Sequence, residues 1–86
     1  MKSSDLLIII PAYNEEASIV SVVDNIIQNY SQYDYVIIND GSKDQTSVIS
    51  HAKGYNIVDL PVNLGLAGAF QTGLRYAYEK GYKKAV

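Results

Sequence analysis

The sequence contains no cysteine, and its positive and negative charges nearly balance. Without cysteine, neither a disulfide framework nor a thiolate metal site can form. Seven Lys and Arg residues against nine Asp and Glu residues give a formal net charge of −2. This balance excludes the basic footprint of a nucleic-acid-binding domain and a polybasic membrane patch. We therefore expect no nucleic acid partner.

A long hydrophobic run is also missing. The longest, Leu6–Ile10, is far shorter than the roughly 20 apolar residues that a membrane-spanning helix needs. No signal-peptide pattern precedes it, so a cytoplasmic location is expected. The length of 86 residues allows one small domain at most, because single domains usually have about 100–150 residues.

Short continuous runs of aliphatic and β-branched residues indicate strands that are buried on both faces. The first run ends at Pro11, and the third is closed by Pro61. Residues after the third helix open a fourth run that stops at the end of the sequence. The predicted strands are Leu6–Ile10, Tyr35–Ile38, Tyr55–Leu60 and the beginning of a strand at Lys83–Val86.

Between these runs the apolar residues recur at helical spacing. The first helix is predicted from Glu15 with Asn14 as its N-cap, and its apolar face comprises Ile19, Val22, Val23, Ile26, Ile27 and Tyr30. Ser42 and Gln45 match a capping box for the second helix, which is predicted to stop near Lys53 and Gly54. The third helix, from about Leu66 to Gly81, has an apolar stripe of Phe70, Leu74, Ala77 and Tyr78.

Strands that alternate with helices predict βαβ crossovers and a parallel, doubly wound α/β sheet of the Rossmann-like, three-layer kind. The fourth strand has only begun where the sequence stops at Val86. We therefore expect residues 1–86 to form one partial domain, truncated after the start of its fourth strand.

In an open α/β sheet, ligands bind beyond the carboxyl ends of the strands. The loop after the first strand contains no glycine, so the glycine-rich fingerprint of dinucleotide binding is absent, and no P-loop pattern is present either. Those absences exclude NAD-binding and P-loop ATPase functions. The loop instead offers Tyr13, which can stack on a base, while Glu15 and Asp40 can accept hydrogen bonds from a base or a ribose.

Three motifs together carry a family resemblance. The segments Ile8–Glu15 (IIIPAYNE) and Ile37–Ser42 (IINDGS), with the glycine-rich stretch from Asn63 to Gly73, resemble the amino-terminal half of inverting family 2 glycosyltransferases of the GT-A type. The branch that matches best is similar to dolichol- or polyprenyl-phosphate sugar synthases. Each motif alone is weak evidence, but their order and spacing agree along essentially the whole chain.

The resemblance implies a site for a UDP-, GDP- or dTDP-linked sugar. Asp40 is the expected base contact, whereas Asn39 is expected mainly to turn the chain. Leu64 and Leu66 stand in the loop after the third strand, called the third loop below. Family members often carry a basic residue in this loop that faces the diphosphate. The substrate-binding residues implied are Pro11, Ala12, Tyr13, Glu15, Asn39, Asp40, Gly41, Asn63 and Gly65.

The resemblance also places functional residues outside this chain. Family members bind Mg²⁺ or Mn²⁺ through an Asp-x-Asp motif at the end of the fourth strand, which would lie beyond Val86 together with the catalytic base. We therefore assign no catalytic and no metal residue here, and expect neither a bound metal nor sugar transfer from these 86 residues alone. The parent enzyme would transfer a sugar with inversion to a polyprenyl phosphate or glycan, at the inner face of a membrane.

An exposed sheet edge predicts self-association.

An alternative of a different class is a non-catalytic α/β module that binds a nucleotide or a partner for regulation. A receiver-type phosphoacceptor domain needs an acidic cluster after its first strand, where this sequence has Ile10 and Pro11.

Two other polar residues receive structural interpretations. Asp44 is interpreted as an acid near a helix start, and His51, with no acid at ligand spacing nearby, as an exposed or partly buried side chain.

Overall fold

The computed structural model describes residues 3–86, and in this range four strands form one parallel sheet. The strands are β1 Leu6–Ala12, β2 Asp34–Asn39, β3 Ile57–Asp59 and β4 Lys84–Ala85. Their order in the sheet is β3-β2-β1-β4. The helices are α1 Ile19–Asn29, α2 Thr46–Ala52 and α3 Gly65–Glu79. The predicted α/β fold with a parallel sheet is confirmed.

The two central strands divide their side chains between the two faces of the sheet. On one face of the sheet, Leu7 and Ile9 of β1 form an apolar cluster with Ala69 and Ala77 of α3. On the other face, Ile10 and Ala12 form a second cluster, whose other members are Ile19 and Val23 of α1 and Tyr55. Since successive side chains of a strand point to opposite faces, β1 and β2 are covered on both sides. This produces three layers.

Gly73 brings α3 close to the sheet. A methyl group at this position would lie 2.4 Å from Cγ2 of Ile9, so only glycine fits without a shift of the helix or of the Ile9 side chain. Close helix–sheet packing, rather than contact with a ligand, accounts for this glycine inside a helix.

The predicted beginnings of the first two helices are wrong. Asn14 has a φ of +55°, and α1 begins only at Ile19, after an N-cap Ser18 that makes no side-chain cap. The capping box also fails, because α2 begins at Thr46 and Ser42 Oγ accepts the amide of Asn14 instead. In both cases a long-range hydrogen bond takes the side chain that the local pattern assigned to a cap. The predicted end near Lys53 is confirmed, with Lys53 as the C-cap.

The apolar face of α3 is rotated relative to the prediction, and that of α1 is narrower than predicted. On α3 the buried line runs through Ala69, Gly73 and Ala77, because small residues let the helix approach β1. Leu74 and Tyr78 are consequently exposed, Tyr78 by 85%. On α1 the buried face is narrower than predicted: Ile19 and Val23 are buried, whereas Val22, Ile27 and Tyr30 are exposed.

Candidate functional site

A cleft of about 610 Å³ opens where β1, β2 and β3 end and α3 begins. Its size falls within the range of small-molecule sites, roughly 300–1,000 Å³. Its position agrees with the general rule for open α/β sheets, in which ligands lie beyond the carboxyl ends of the strands. The residues that line it are Pro11, Ala12, Tyr13, Glu15, Asp40, Lys43, Asn63, Gly65, Leu66 and Ala69.

The loop after β1 brings an aromatic ring and a carboxylate to the same side of the cleft. Tyr13 is 41% exposed, so part of its ring is available for stacking. One carboxylate oxygen of Glu15 accepts a hydrogen bond of 2.7 Å from Ser18 Oγ, which leaves acceptor capacity on an exposed side chain. The two residues can therefore offer a stacking surface and a hydrogen-bond acceptor to one ligand.

Asp40 joins all three loops at the back of the cleft. Its amide donates to the carbonyl oxygen of Ala12 over 2.8 Å, and its side chain accepts from the Leu64 amide over 2.7 Å and from Asn63 Nδ2 over 3.1 Å. Asp40 is only 4% exposed, so its carboxylate is fixed in direction. Each carboxylate oxygen has a second lone pair, and Asp40 can thus hold the third loop and still accept a hydrogen bond from a ligand.

Gly41 and Asn39 do not line the cleft but lie behind it. Gly41 has a φ of +69°, and a methyl group there would lie 2.6 Å from both the amide nitrogen of Asn63 and the carbonyl carbon of Val62. The loop after β2 therefore touches the backbone of the loop after β3. Asn39 is buried and donates from Nδ2 to Asp59 Oδ1 over 2.8 Å. Both residues shape the loops that carry Asp40 and Asn63.

A hydrogen-bonded pair of side chains that the sequence did not indicate lies next to Asn39. His51 Nε2 is 2.6 Å from Asp59 Oδ2, although the two residues belong to α2 and β3. Burial raises the pKa of the Asp59 carboxyl, but hydrogen bonds from Asn39, His51 and Ser47 outweigh it and hold the pKa below its usual range. The expectation that His51 is exposed or partly buried is confirmed, and Asp59, eight positions away, is a partner that the sequence analysis did not identify.

Lys43 is the charged cleft residue that the sequence analysis missed, and Leu66 and Ala69 are two apolar ones. Of the lysine and arginine residues that the structure describes, it alone lines the cleft. The signal was available in the sequence, because Lys43 follows Asp40 by three positions in the same loop. Its ammonium group offers positive charge to a cleft that Glu15 and Asp40 also line.

The cleft residues do not form a metal site. Within residues 3–86, no group of three or more His, Cys, Asp or Glu side chains could hold a metal ion. The residues described here therefore do not fit Mg²⁺ or Mn²⁺ as a bound group.

The fold and the position of the cleft define an α/β protein whose ligand site lies beyond the carboxyl ends of its parallel strands, and comparison with known proteins identifies the family. The sequence model of glycosyl transferase family 2 matches residues 7–82. This chain belongs to that family.

Individual relatives agree with the family assignment. The chain is 38% identical over 98 residues to a UDP-N-acetylglucosamine–dolichyl-phosphate N-acetylglucosaminyltransferase from Methanococcus voltae, covering 94% of this chain and 39% of the relative. Among solved structures, glucosyl-3-phosphoglycerate synthase from Mycobacterium tuberculosis in complex with UDP superposes with a TM-score of 0.71 and 29% identity, covering 83% of this chain and 29% of that one. A mannosyltransferase from Pyrobaculum calidifontis in complex with GDP-mannose and Mn²⁺ also gives 0.71, with 28% identity over 84% of this chain and 24% of that one.

The chain spans well under half the length of each of these proteins. Among the described residues, no helix combines the length and the apolar character needed to cross a bilayer. The relatives are glycosyltransferases, which supports a glycosyltransferase over the alternative of a regulatory α/β module.

Proposed function

We propose that this chain supplies the nucleoside-binding part of a glycosyltransferase, and that its cleft binds a nucleotide-linked sugar with a UDP, GDP or dTDP carrier. The observation that carries the proposal is the convergence of Tyr13, Glu15, Asp40 and Asn63, from three different loops, on one cleft. Neighbours of the same fold bind UDP and GDP-mannose. The family assignment and the chemistry of the cleft thus support the same ligand class.

The acceptors in the cleft suit a nucleoside. Uracil, thymine and guanine each carry a ring N–H, which the fixed carboxylate of Asp40 can accept at the back of the cleft. Tyr13, at the open side, offers its ring for stacking on the base. Glu15 remains for the hydroxyl groups of the ribose, since a carboxylate accepts from such donors.

We assign the diphosphate to the side of the cleft where positive charge is available. Lys43 provides an ammonium group there. The first turn of α3, which begins at Gly65 on the cleft wall, has no side-chain cap on its amide groups, and such amides attract negative charge. This arrangement replaces the basic residue that the third loop lacks, where Leu64 and Leu66 stand instead.

For the whole enzyme we propose transfer of the sugar, with inversion, to a polyprenyl phosphate or a glycan. The support is the similarity to an enzyme named for a dolichyl-phosphate acceptor. Such an acceptor would place the enzyme at the inner face of a membrane. Solved neighbours are complexed with Mn²⁺, and we propose that the whole enzyme also uses Mg²⁺ or Mn²⁺ through a motif that follows Val86.

The proposal is tested by removing the stacking ring while leaving every other contact in place. Tyr13→Ala should weaken binding of UDP or GDP by about two- to tenfold, because an aromatic stack contributes about 0.5–1.5 kcal/mol. Tyr78→Ala is the matched control, since Tyr78 is an exposed tyrosine on α3 that does not line the cleft. Isothermal titration calorimetry on the 86-residue chain measures both. Equal affinities for the two variants would contradict the proposed site.

A further inference from the structure

The loop between β1 and α1 (residues 13–18) is tied to the loop between β2 and α2 (residues 40–45) and to the first residue of α2. The backbone amides of three consecutive residues in the first loop each donate a hydrogen bond to a side chain between residues 42 and 46. The three hydrogen bonds join Asn14 to Ser42 Oγ at 2.9 Å, Glu15 to Thr46 Oγ1 at 2.9 Å, and Glu16 to Asp44 Oδ2 at 3.1 Å.

The connection also runs in the opposite direction. The amide of Lys43 donates to Asn14 Oδ1 over 2.8 Å, and the amide of Gln45 donates to Glu16 Oε1 over 2.9 Å. Asn14 adopts a φ of +55°, a conformation that residues other than glycine adopt infrequently. The reciprocal bonds stabilise this bend, which lies directly between Tyr13 and Glu15.

Local structure does not account for these bonds. They join residues 28 to 31 positions apart in sequence, and Ser18, the N-cap of α1, makes no capping bond of its own. Thr46 is fully buried, so the acceptor of the Glu15 amide cannot swing away into solvent. The backbone path of the first loop therefore depends on side chains of the second.

We propose that Ser42, Asp44 and Thr46 are positioning residues, which fix the backbone of residues 14–16 so that Tyr13 and Glu15 face the cleft before the nucleotide arrives. This inference rests on the proposed function of the cleft. A loop that is already ordered in the free chain loses little conformational entropy when the ligand binds, so the ligand binds more tightly. The three side chains contact the loop and do not line the cleft, so they act through Tyr13 and Glu15.

The acid in this set is held in its charged form. Burial raises the pKa of Asp44, but hydrogen bonds from Thr46 and from the Glu16 amide outweigh it and lower the pKa below its usual value. An ionised carboxylate is a stronger acceptor than a neutral group. Asp44 can therefore hold the start of α2 and the first loop at the same time.

Thr46→Val tests the proposal, because valine keeps the shape of threonine but cannot accept the Glu15 amide. Affinity for UDP or GDP should fall by about tenfold, as expected when a part-buried amide loses its partner. Thr46→Ser restores the hydroxyl group and should recover most of the affinity. In the free chain, the Glu15 amide should exchange faster with solvent in the valine variant and not in the serine variant.

Ser42→Ala provides a second arm in case Thr46→Val does not fold. Ser21→Ala is its matched control, because Ser21 donates to the Ser18 carbonyl on the exposed side of α1 and does not line the cleft. A folded Thr46→Val or Ser42→Ala chain that binds nucleotide as tightly as the unaltered chain would overturn the positioning role alone. An unaltered chain that binds no nucleotide would overturn the proposed function, and the positioning role would fall with it.

Discussion

Gly41 makes the contact between two loops of the cleft. Replacing it with alanine should destabilise the fold for two reasons. The first cost is conformational, because alanine at a φ of +69° is strained by about 1–2 kcal/mol. The second is steric, since the new methyl group would lie 2.6 Å from backbone atoms of Val62 and Asn63. Backbone cannot move aside as a flexible side chain can, so overpacking of this kind costs about 1–3 kcal/mol more.

Gly54 offers the matched control. It has a φ of +72°, and a methyl group there meets nothing within 4 Å, so Gly54→Ala should cost only the conformational part, about 1–2 kcal/mol. Gly41→Ala should cost about 2–5 kcal/mol in total. The difference between the two variants measures the contact between the loops after β2 and β3.

Urea denaturation of the free chain, followed by far-ultraviolet circular dichroism, gives both free energies of unfolding. Gly41→Ala should also lower nucleotide affinity, because the clash displaces Asn63, which donates to Asp40. Gly54→Ala should leave affinity unchanged, since Gly54 does not line the cleft. Equal losses of stability in the two variants would refute the close approach on which this description of the cleft depends.

Two further predictions concern stability and association. Burial raises the pKa of Asp34, but hydrogen bonds from Ser3, Tyr82 and Ser4 outweigh it and hold the pKa below 3.8. The ionised Asp34 carboxylate therefore stabilises the fold above pH 3.8, and this stabilisation is lost as the pH falls through the lowered pKa. Asp34→Asn should make the free energy of unfolding, measured by urea denaturation, less dependent on pH in this acidic range, and an unchanged pH profile would contradict this prediction. We also propose that the chain self-associates beside β4, where Leu6, Ile8, Ile26, Tyr30, Tyr33 and Val86 line an apolar groove. A single monomeric species in sedimentation at high concentration would count against that proposal.

The sheet could be predicted from the sequence because its signal is local. The aliphatic runs at Leu6–Ile10 and Tyr35–Ile38 lie inside β1 and β2, and a run buried on both faces has few alternatives to a central parallel strand. The end of α2 near Gly54 was equally local, since glycine suits the positive φ found there.

The first turns of α1 and α2 could not be predicted in the same way. Asn14 and Ser42 have the side chains of helix caps, but each binds the other loop across 28 or more residues. A pattern that considers only neighbours in sequence assigns such side chains to the nearest helix. The same limit concealed the pairing of His51 with Asp59, and it explains why Asp44 was interpreted as an acid near a helix start, although it also accepts the amide of Glu16.

The most direct test of the central claim is an amide NMR titration of the 86-residue chain with UDP, GDP and dTDP, with CDP as the control. Asp40 can accept the ring N–H of uracil, guanine or thymine, whereas cytosine presents an acceptor at that position and would face the carboxylate unfavourably. We predict that at least one of the first three nucleotides shifts the signals of Tyr13, Glu15, Asp40 and Lys43, and that CDP binds more weakly than UDP or dTDP if either pyrimidine is the ligand. A folded chain in which none of the three moves those signals would contradict the assignment of the cleft.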